Sequence, residues 1–183
     1  MKKIISLIVI TIFLTSCNDD DGQLPAPSPI YQLPPETQIG ANTFGCLLDG
    51  EVFKPGLNPN SYQCFYQFVD GGYYFNVNAN STENNILTSL VIGTLRLQIG
   101  EGQTYSLYER ADGNALGGLF VGNSSTGVID DSYTSAEHSG ELKISKLDSE
   151  NRIVSGTFWY DIKDNSGIVH QIREGRFDMQ FTQ

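Results

Sequence analysis

The stretch that decides the fold is residues 33–55, LPPETQIGANTFGCLLDGEVFKP. It reads as a proline-containing lead-in, an apolar run over residues 42–48, the dipeptide Asp49-Gly50 and a second apolar run at residues 52–53. Asp-Gly between two apolar runs is among the strongest hairpin signals, because glycine accepts a positive φ in a two-residue turn. The stretch therefore predicts a β-hairpin and marks the beginning of a β-domain.

The rest of the chain repeats this pattern of short apolar runs and turns. Side chains alternate between apolar and polar, most clearly near the C-terminus, where Phe177, Met179 and Phe181 are predicted to point inward and Arg176, Asp178 and Gln180 outward. A period of two indicates an extended strand with one buried face. The further predicted strands are residues 62–69, 73–79, 86–92, 95–99, a short segment at Tyr105 and Leu107, 115–121, 128–134, 140–146, 153–162 and 168–180.

The number and spacing of these strands define the fold class. About ten strands joined mostly by short turns favour an all-β domain, an antiparallel meander that forms a sandwich or is barrel-like. Residues 80–85 are predicted as a loop and Gly93 as the position of a bulge. The Gly-rich run 115–121 is expected to be a weak or edge strand, because glycine weakens strand interiors. We place this single β-domain at residues 36–183.

The first 16 residues have the three parts of a secretory signal peptide: Lys2 and Lys3, an apolar run over residues 4–14, and a small polar end before Cys17. The run Leu14-Thr15-Ser16-Cys17 resembles the bacterial lipobox, in which the cysteine thiol takes the lipid and becomes the first residue of the mature chain. We therefore expect Cys17 to carry fatty acyl chains such as palmitate. Several acyl chains anchor a protein stably in a membrane, whereas one does not.

Residues 17–35 are predicted to be a tether. Asn18 follows Cys17, and the acidic cluster Asp19, Asp20 and Asp21 comes next. The cluster resembles the surface-export signal of Bacteroidota-type lipoproteins, and a solvated spacer is the alternative interpretation. Five prolines then predict an extended, semi-rigid segment, and a disordered linker is equally compatible with them. These features predict a lipoprotein of the outer membrane that is exposed at the cell surface, with the tether holding the domain away from the bilayer.

Composition excludes one class of partner. The chain of 183 residues has a net charge of −10, and loss of Lys2 and Lys3 with the signal peptide leaves 9 basic and 21 acidic residues, a net charge of −12. Such a surface repels phosphate backbones, so we expect no nucleic-acid partner.

Cysteine and histidine side chains provide little candidate chemistry. Cys46 and Cys64 lie on neighbouring predicted strands, and an oxidising envelope permits a disulfide between them, although two buried thiols fit equally well. His138 and His170 have no glutamate or cysteine at metal-ligand spacing, so no metal site and no cofactor are predicted. The Gly-x-Ser-x-Gly motif of serine hydrolases is missing from the sequence. We name no catalytic residue.

Aromatic side chains are the remaining candidates for ligand contact. Trp159 falls on the strand face opposite Phe158 and Tyr160, and it is either exposed or part of a second core. Trp159 and Tyr74 are the residues that we expect to stack on a glycan or peptide ligand. Ordinary packing within a sandwich core explains the same aromatics.

Several segments resemble one known family. Residues 33–53, with 140–148, 153–158 and 174–178, are similar to the opening and closing strands of an uncharacterised lipoprotein domain family of Bacteroidota-type bacteria. The resemblance implies a lipid-anchored β-domain without catalytic residues. Together with the lipobox, it favours a non-enzymatic binding or accessory module of the cell envelope. The alternatives are a surface hydrolase or hydrolase inhibitor with a site built from loops, and a structural envelope component.

Overall fold

A computed structural model describes residues 28–123 and 125–183. These residues confirm the all-β prediction, since they contain eleven strands and two short 3₁₀ helices at Pro29–Gln32 and Pro59–Ser61. The strands are β1 (Thr43–Leu48), β2 (Glu51–Phe53), β3 (Tyr62–Val69), β4 (Gly72–Glu83), β5 (Ile86–Thr94), β6 (Thr104–Leu107), β7 (Ala115–Asn123), β8 (Val128–Tyr133), β9 (Gly140–Asp148), β10 (Ile153–Lys163) and β11 (Val169–Gln180).

Two-residue turns set the register of the first hairpins. Asp49-Gly50 joins β1 to β2, Asp70-Gly71 joins β3 to β4, and Asn84-Asn85 joins β4 to β5. All six residues have a positive φ, between 48° and 86°. This geometry matches the twist of antiparallel strands, and Asn, Asp and Gly are the residues that adopt it most easily.

The strands form one mostly antiparallel sheet in the order β2-β1-β11-β10-β9-β6-β7-β5-β4-β3, with β8 paired to β7. The sheet curls without closing. After β2, the Gly56 amide donates to the Asn80 carbonyl of β4 at 2.9 Å, and Thr182, just after β11, forms a parallel bridge with Phe65 of β3. The two ends of the strand order therefore approach one another, which gives the barrel-like shape.

The curled sheet surrounds one apolar core. Ring contacts cross its interior, with centroid distances of 5.3 Å between Phe44 and Phe158 and 6.1 Å between Phe75 and Phe177. Phe177, Met179 and Phe181 are buried, as the alternation of β11 predicted. Strands from both ends of the sheet order thus share one hydrophobic cluster.

Three local predictions were wrong. Residues 80–85 are not a loop, because β4 continues to Glu83 and only Asn84-Asn85 turns. Gly93 is not at a bulge, since β5 pairs without a shift through this residue on both sides. Residues 95–99 are not a strand, because β5 ends at Thr94 and the Thr94 hydroxyl donates to the Leu97 carbonyl at 2.9 Å, which turns the chain.

The Gly-rich strand β7 is central rather than weak or at an edge. It pairs with β5 along its whole length and with β8 on its other side. Its glycines make room for a neighbour across the core, because a Cβ on Gly117 would lie 2.9 Å from the Tyr160 ring. The Tyr160 hydroxyl donates to the Gly118 carbonyl at 3.0 Å. The small side chains therefore allow close packing here.

Asp178 is buried, which corrects the prediction that it points outward; it is only 1 % exposed. Its carboxylate accepts hydrogen bonds from the backbone amides of residues 39, 40 and 41 at 2.8–3.1 Å. The hydroxyls of Thr37 and Ser155 donate to it at 2.6 and 2.8 Å. The Asp178 carboxylate therefore fixes the lead-in to β1 to the last strand, although the period-two pattern predicted that this side chain is exposed to solvent.

Candidate functional site

Trp159 lies at a β-bulge between β10 and β11. Phe158 pairs with Gly175 and Tyr160 with Ile172, so the single residue Trp159 lies opposite two residues of β11, Arg173 and Glu174. Glu174 has a φ of 54°. Bulges of this kind redirect side chains relative to the sheet. Trp159 has 43 % of its surface exposed, whereas Phe158 and Tyr160 are buried, because side chains alternate along β10.

Gly175 is required for this bulge to pack. A Cβ on Gly175 would lie 2.4 Å from the Phe158 ring, closer than any van der Waals contact allows. The Phe158 ring therefore packs against Gly175 on the core side of the sheet, whereas Trp159 lies on the outer side.

Arg173 is fixed beside the indole. Its Cζ lies 5.5 Å from the Trp159 ring centroid, a cation–π distance. One guanidinium nitrogen donates to the Tyr160 carbonyl at 3.0 Å and the other to the Asp161 carboxylate at 2.6 Å. The hydrogen bonds therefore fix Arg173 beside the Trp159 ring, where the cation–π contact favours this orientation of the indole.

Trp159 lines a depression of about 490 Å³. Three glutamates share it: Glu36 from the lead-in, Glu141 of β9 and Glu174 at the bulge. Glu141 is the direct cross-strand partner of Trp159, and all three glutamates are exposed. Glu174 also contacts Arg176 at 3.5 Å. The depression thus offers an apolar ring and several carboxylate oxygens that can accept hydrogen bonds.

The second predicted stacking residue lies elsewhere. Tyr74 is half-buried and lines a separate depression of about 240 Å³ with Phe65 and Tyr133. The Arg110 guanidinium covers the Tyr133 ring at 4.8 Å. The structure therefore does not bring Trp159 and Tyr74 into one site.

His170 lies between two carboxylates that sequence reasoning did not associate with it. Its Nδ1 is 2.7 Å from Asp49 Oδ2 and its Nε2 is 3.4 Å from Asp164 Oδ2. Burial lowers the pKa of His170, but the hydrogen bonds to Asp49 and Asp164 outweigh that effect and raise the pKa above its ordinary value. The residues that the structure describes contain no group of three or more His, Cys, Asp or Glu that could hold a metal ion.

Cys46 and Cys64 are free thiols, so the disulfide alternative is wrong for this structure. Both are buried, and burial raises the pKa of each thiol. Cys46 lies beside residues 173–176 of β11, because its neighbours Gly45 and Leu47 pair with Arg176 and Arg173. Cys64 lies beside Thr182, just after the end of β11, and its carbonyl accepts a hydrogen bond from the Thr182 amide. Several residues of extended β11 separate these positions, more than about 15 Å at about 3.3 Å per residue, whereas disulfides need Cα atoms within about 7 Å.

The depression around Trp159 has one signal in the sequence. Ile172 and Phe177 of β11 are both buried although they are five residues apart, which breaks the period of two. Such a change of phase marks the bulge at Arg173 and Glu174. The contributions of Glu36 and Glu141 have no such signal, because they depend on which strands and segments lie side by side.

A family model, the prokaryotic membrane lipoprotein lipid attachment site, matches residues 1–18. The match supports a bacterial lipoprotein. The predicted signal peptide and Cys17 fall within this segment and lie outside the described residues. No curated protein and no solved structure matches the lipoprotein. Residues 28–123 and 125–183 contain no helix long and apolar enough to span a membrane. The attachment site thus supports anchoring of this envelope lipoprotein through lipid.

Proposed function

We propose that this lipoprotein is attached to the outer membrane through Cys17, is exposed at the cell surface, and binds a glycan at the depression around Trp159 without chemical change. The single observation that carries the glycan proposal is the exposed face of Trp159 among Glu36, Glu141 and Glu174. Sugar rings stack on indole faces through their apolar C–H surface. Their hydroxyl groups donate to carboxylates without bringing a charge that must be neutralised.

The fixed position of Trp159 supports this proposal. Arg173 is held by Tyr160 and Asp161, so the indole is already oriented before a ligand arrives. A preorganised aromatic side chain loses little conformational freedom on binding, which favours affinity. The proline-rich tether supports a role at a distance from the membrane, where soluble or cell-surface glycans are accessible.

The test is a screen of immobilised glycans and peptides with the full acylated protein in a detergent that lacks a sugar headgroup. We expect a glycan to bind, and we expect Trp159→Ala to weaken binding about tenfold, which corresponds to the loss of roughly 1.4 kcal/mol of stacking. Glu141→Gln removes one carboxylate of the depression without changing side-chain size and should also weaken binding.

Tyr31→Ala is the matched control, because Tyr31 is an aromatic residue that is 82 % exposed outside the depression. It should bind as the unmodified protein does. Binding of peptides alone, or equal binding by Trp159→Ala, would contradict the glycan proposal. Release of shortened glycan would instead support the surface hydrolase, and silence across the whole screen would support a structural envelope component.

A further inference from the structure

The outer edge of β3 is a sheet edge without charged residues. β3 is the last strand of the sheet order, and its sequence, Tyr62 to Val69, contains no charged residue and no proline. Proteins normally protect exposed edges with charge or proline, because an unpaired edge is a template for another strand. β2, at the other end of the order, begins at Glu51 and is followed by Lys54 and Pro55.

β8 provides a second comparison. It pairs only with β7 in the sheet order, so one of its sides is also an edge. This strand carries Asp130 and Asp131. Of these three edges, β3 is therefore the one without a charge to prevent strand addition.

The backbone of β3 already accepts one extended residue. In the β3–β4 register Val69 pairs with Gly72 across the two-residue turn, so the amides and carbonyls of residues 62, 64, 66 and 68 point away from β4. Thr182 uses two of these groups: its amide donates to the Cys64 carbonyl at 3.0 Å, and its carbonyl accepts from the Tyr66 amide at 2.9 Å. This edge can therefore form a β-ladder.

Beyond Thr182 the ladder is unfilled. The Tyr66 carbonyl and both backbone groups of Phe68 have no hydrogen-bond partner within residues 28–123 and 125–183. Phe68 and Val69 are 62 % and 42 % exposed. A depression of about 520 Å³ lies beside them and is also lined by Tyr73. Unpaired backbone groups and exposed apolar side chains therefore coincide at this end of β3.

We propose that the β3 edge beyond Thr182 is a docking site for an extended segment of another polypeptide, which adds as a strand and places an apolar side chain against Phe68 and Tyr73. Only a peptide backbone supplies alternating donors and acceptors at the spacing of the free groups of Tyr66 and Phe68. The mature chain carries a net charge of −12, which repels an acidic segment. We therefore expect the added segment to be uncharged or basic.

A second copy of this chain is the less suitable occupant. Each copy has Thr182 across the middle of its own β3 edge, which shortens the length available for pairing two edges. Two mature chains also repel one another through their net negative charge. The proposed site is independent of the depression at Trp159, which lies on the β10–β11 bulge.

The test uses a displayed library of random nine-residue peptides, selected on the full acylated protein and counter-selected on Phe68→Lys. Phe68→Lys places a charge at an exposed position of the edge, and Ile129→Lys is the matched control, because Ile129 is 66 % exposed on β8. We expect the selected peptides to bind the unmodified protein and Ile129→Lys with affinities within twofold of each other. Their affinity for Phe68→Lys should be at least tenfold lower.

Two further measurements identify strand addition. N-methylation of a selected peptide at the alternate amides that face β3 should weaken binding at least tenfold, while methylation of the intervening amides should not. Exchange of the Phe68 amide hydrogen should slow at least tenfold when the peptide binds.

Three results would overturn the proposal. The first is a library that yields no peptide sensitive to Phe68→Lys. The second is equal binding by both N-methylated peptides. The third is that, without peptide, exchange at the Phe68 amide becomes slower as the protein concentration rises. That result would show that a second copy of the chain pairs with the edge. Glycan binding that depends on Trp159 is measured separately, so either proposal can fail alone.

Discussion

His170 connects two turns that are far apart in the sequence. Its ring lies between Asp49 of the β1–β2 turn and Asp164 of the β10–β11 turn. Asp49 also accepts the Gln171 amide, and Asp164 accepts the Ile168 amide, so each carboxylate is held by backbone before it meets the imidazole. Both partners favour protonated histidine, and the contact therefore depends on pH.

We predict that stability falls as pH rises through the neutral range and that His170 contributes to this fall. The pKa of His170 is raised in the folded protein, so its contribution is fully present below the ordinary pKa of about 6.5 and is lost as pH rises through the folded value. His170→Gln should reduce the slope of unfolding free energy against pH as pH rises above the ordinary histidine pKa of about 6.5. Urea unfolding at several pH values measures this slope.

His138→Gln is the control, because the His138 backbone closes a local turn with Ser135. It should keep the slope of the unmodified protein. The same slope in His170→Gln and the unmodified protein would contradict a role for the two carboxylates.

β7 shows how an element can have a role that its own sequence does not indicate. Its glycines predict a weak strand, yet β7 has partners on both sides. Tyr160 of β10 packs over Gly117, where a larger residue would not fit. Residues 73–79 of β4 were easier to predict, since alternation is clear where one face is wet. The error at residues 80–85 has a similar origin: Asn80, Ser81 and Thr82 are polar, but their ladder with β5 makes them a strand.

We predict that Gly117→Ala lowers the unfolding free energy by about 2 kcal/mol, because the added methyl group would overlap the Tyr160 ring. Gly100→Ala is the matched control: its Cβ would meet only the flexible Gln103 side chain at 3.3 Å. Chemical denaturation of both variants measures the difference. Equal stability would mean that β7 and Tyr160 adjust without cost, contrary to the packing described here.

At the scale of the whole molecule, the lead-in to β1 is part of the folded body. Leu33 is buried, and the Pro34 ring packs against Gly45, where a Cβ would be 2.6 Å from Pro34 Cδ. Asp178 then holds residues 37–41. Leu33 and Pro34 lie before residue 36, where the sequence predicted the start of the domain, and within the segment predicted to be a tether. A boundary at residue 36 would omit Leu33 and Pro34.

We predict that Asp178→Asn lowers the unfolding free energy by about 3 kcal/mol, since an amide NH₂ replaces an oxygen that accepts backbone amides. Burial raises the pKa of Asp178, but its hydrogen bonds outweigh that effect and hold the pKa at about 2. The contribution of Asp178 is present above the ordinary pKa of about 3.9 and is lost as pH falls towards 2. Denaturant unfolding near neutral and at acidic pH measures both effects.

Hydrogen exchange at the amides of residues 39–41 should accelerate in Asp178→Asn. Asp112→Asn is the control, because the Asp112 side chain is 73 % exposed and its ion pair with Arg96 is 3.8 Å long. It should change stability by less than about 0.5 kcal/mol. Unchanged exchange at residues 39–41 in Asp178→Asn would show that the lead-in does not depend on this carboxylate.

The sequence by itself determined the all-β class, the two-residue turn at Asp49-Gly50, and the lipid attachment signal at residues 1–18. These are local properties, because side-chain alternation and turn residues act over a few neighbours in the chain. Only the tertiary structure decided that Asp178 is buried, that Cys46 and Cys64 lie apart, and that Trp159 shares a depression with Glu36 and Glu141. Those outcomes depend on the order of strands in the sheet and on one bulge, which bring together residues that local periodicity does not relate.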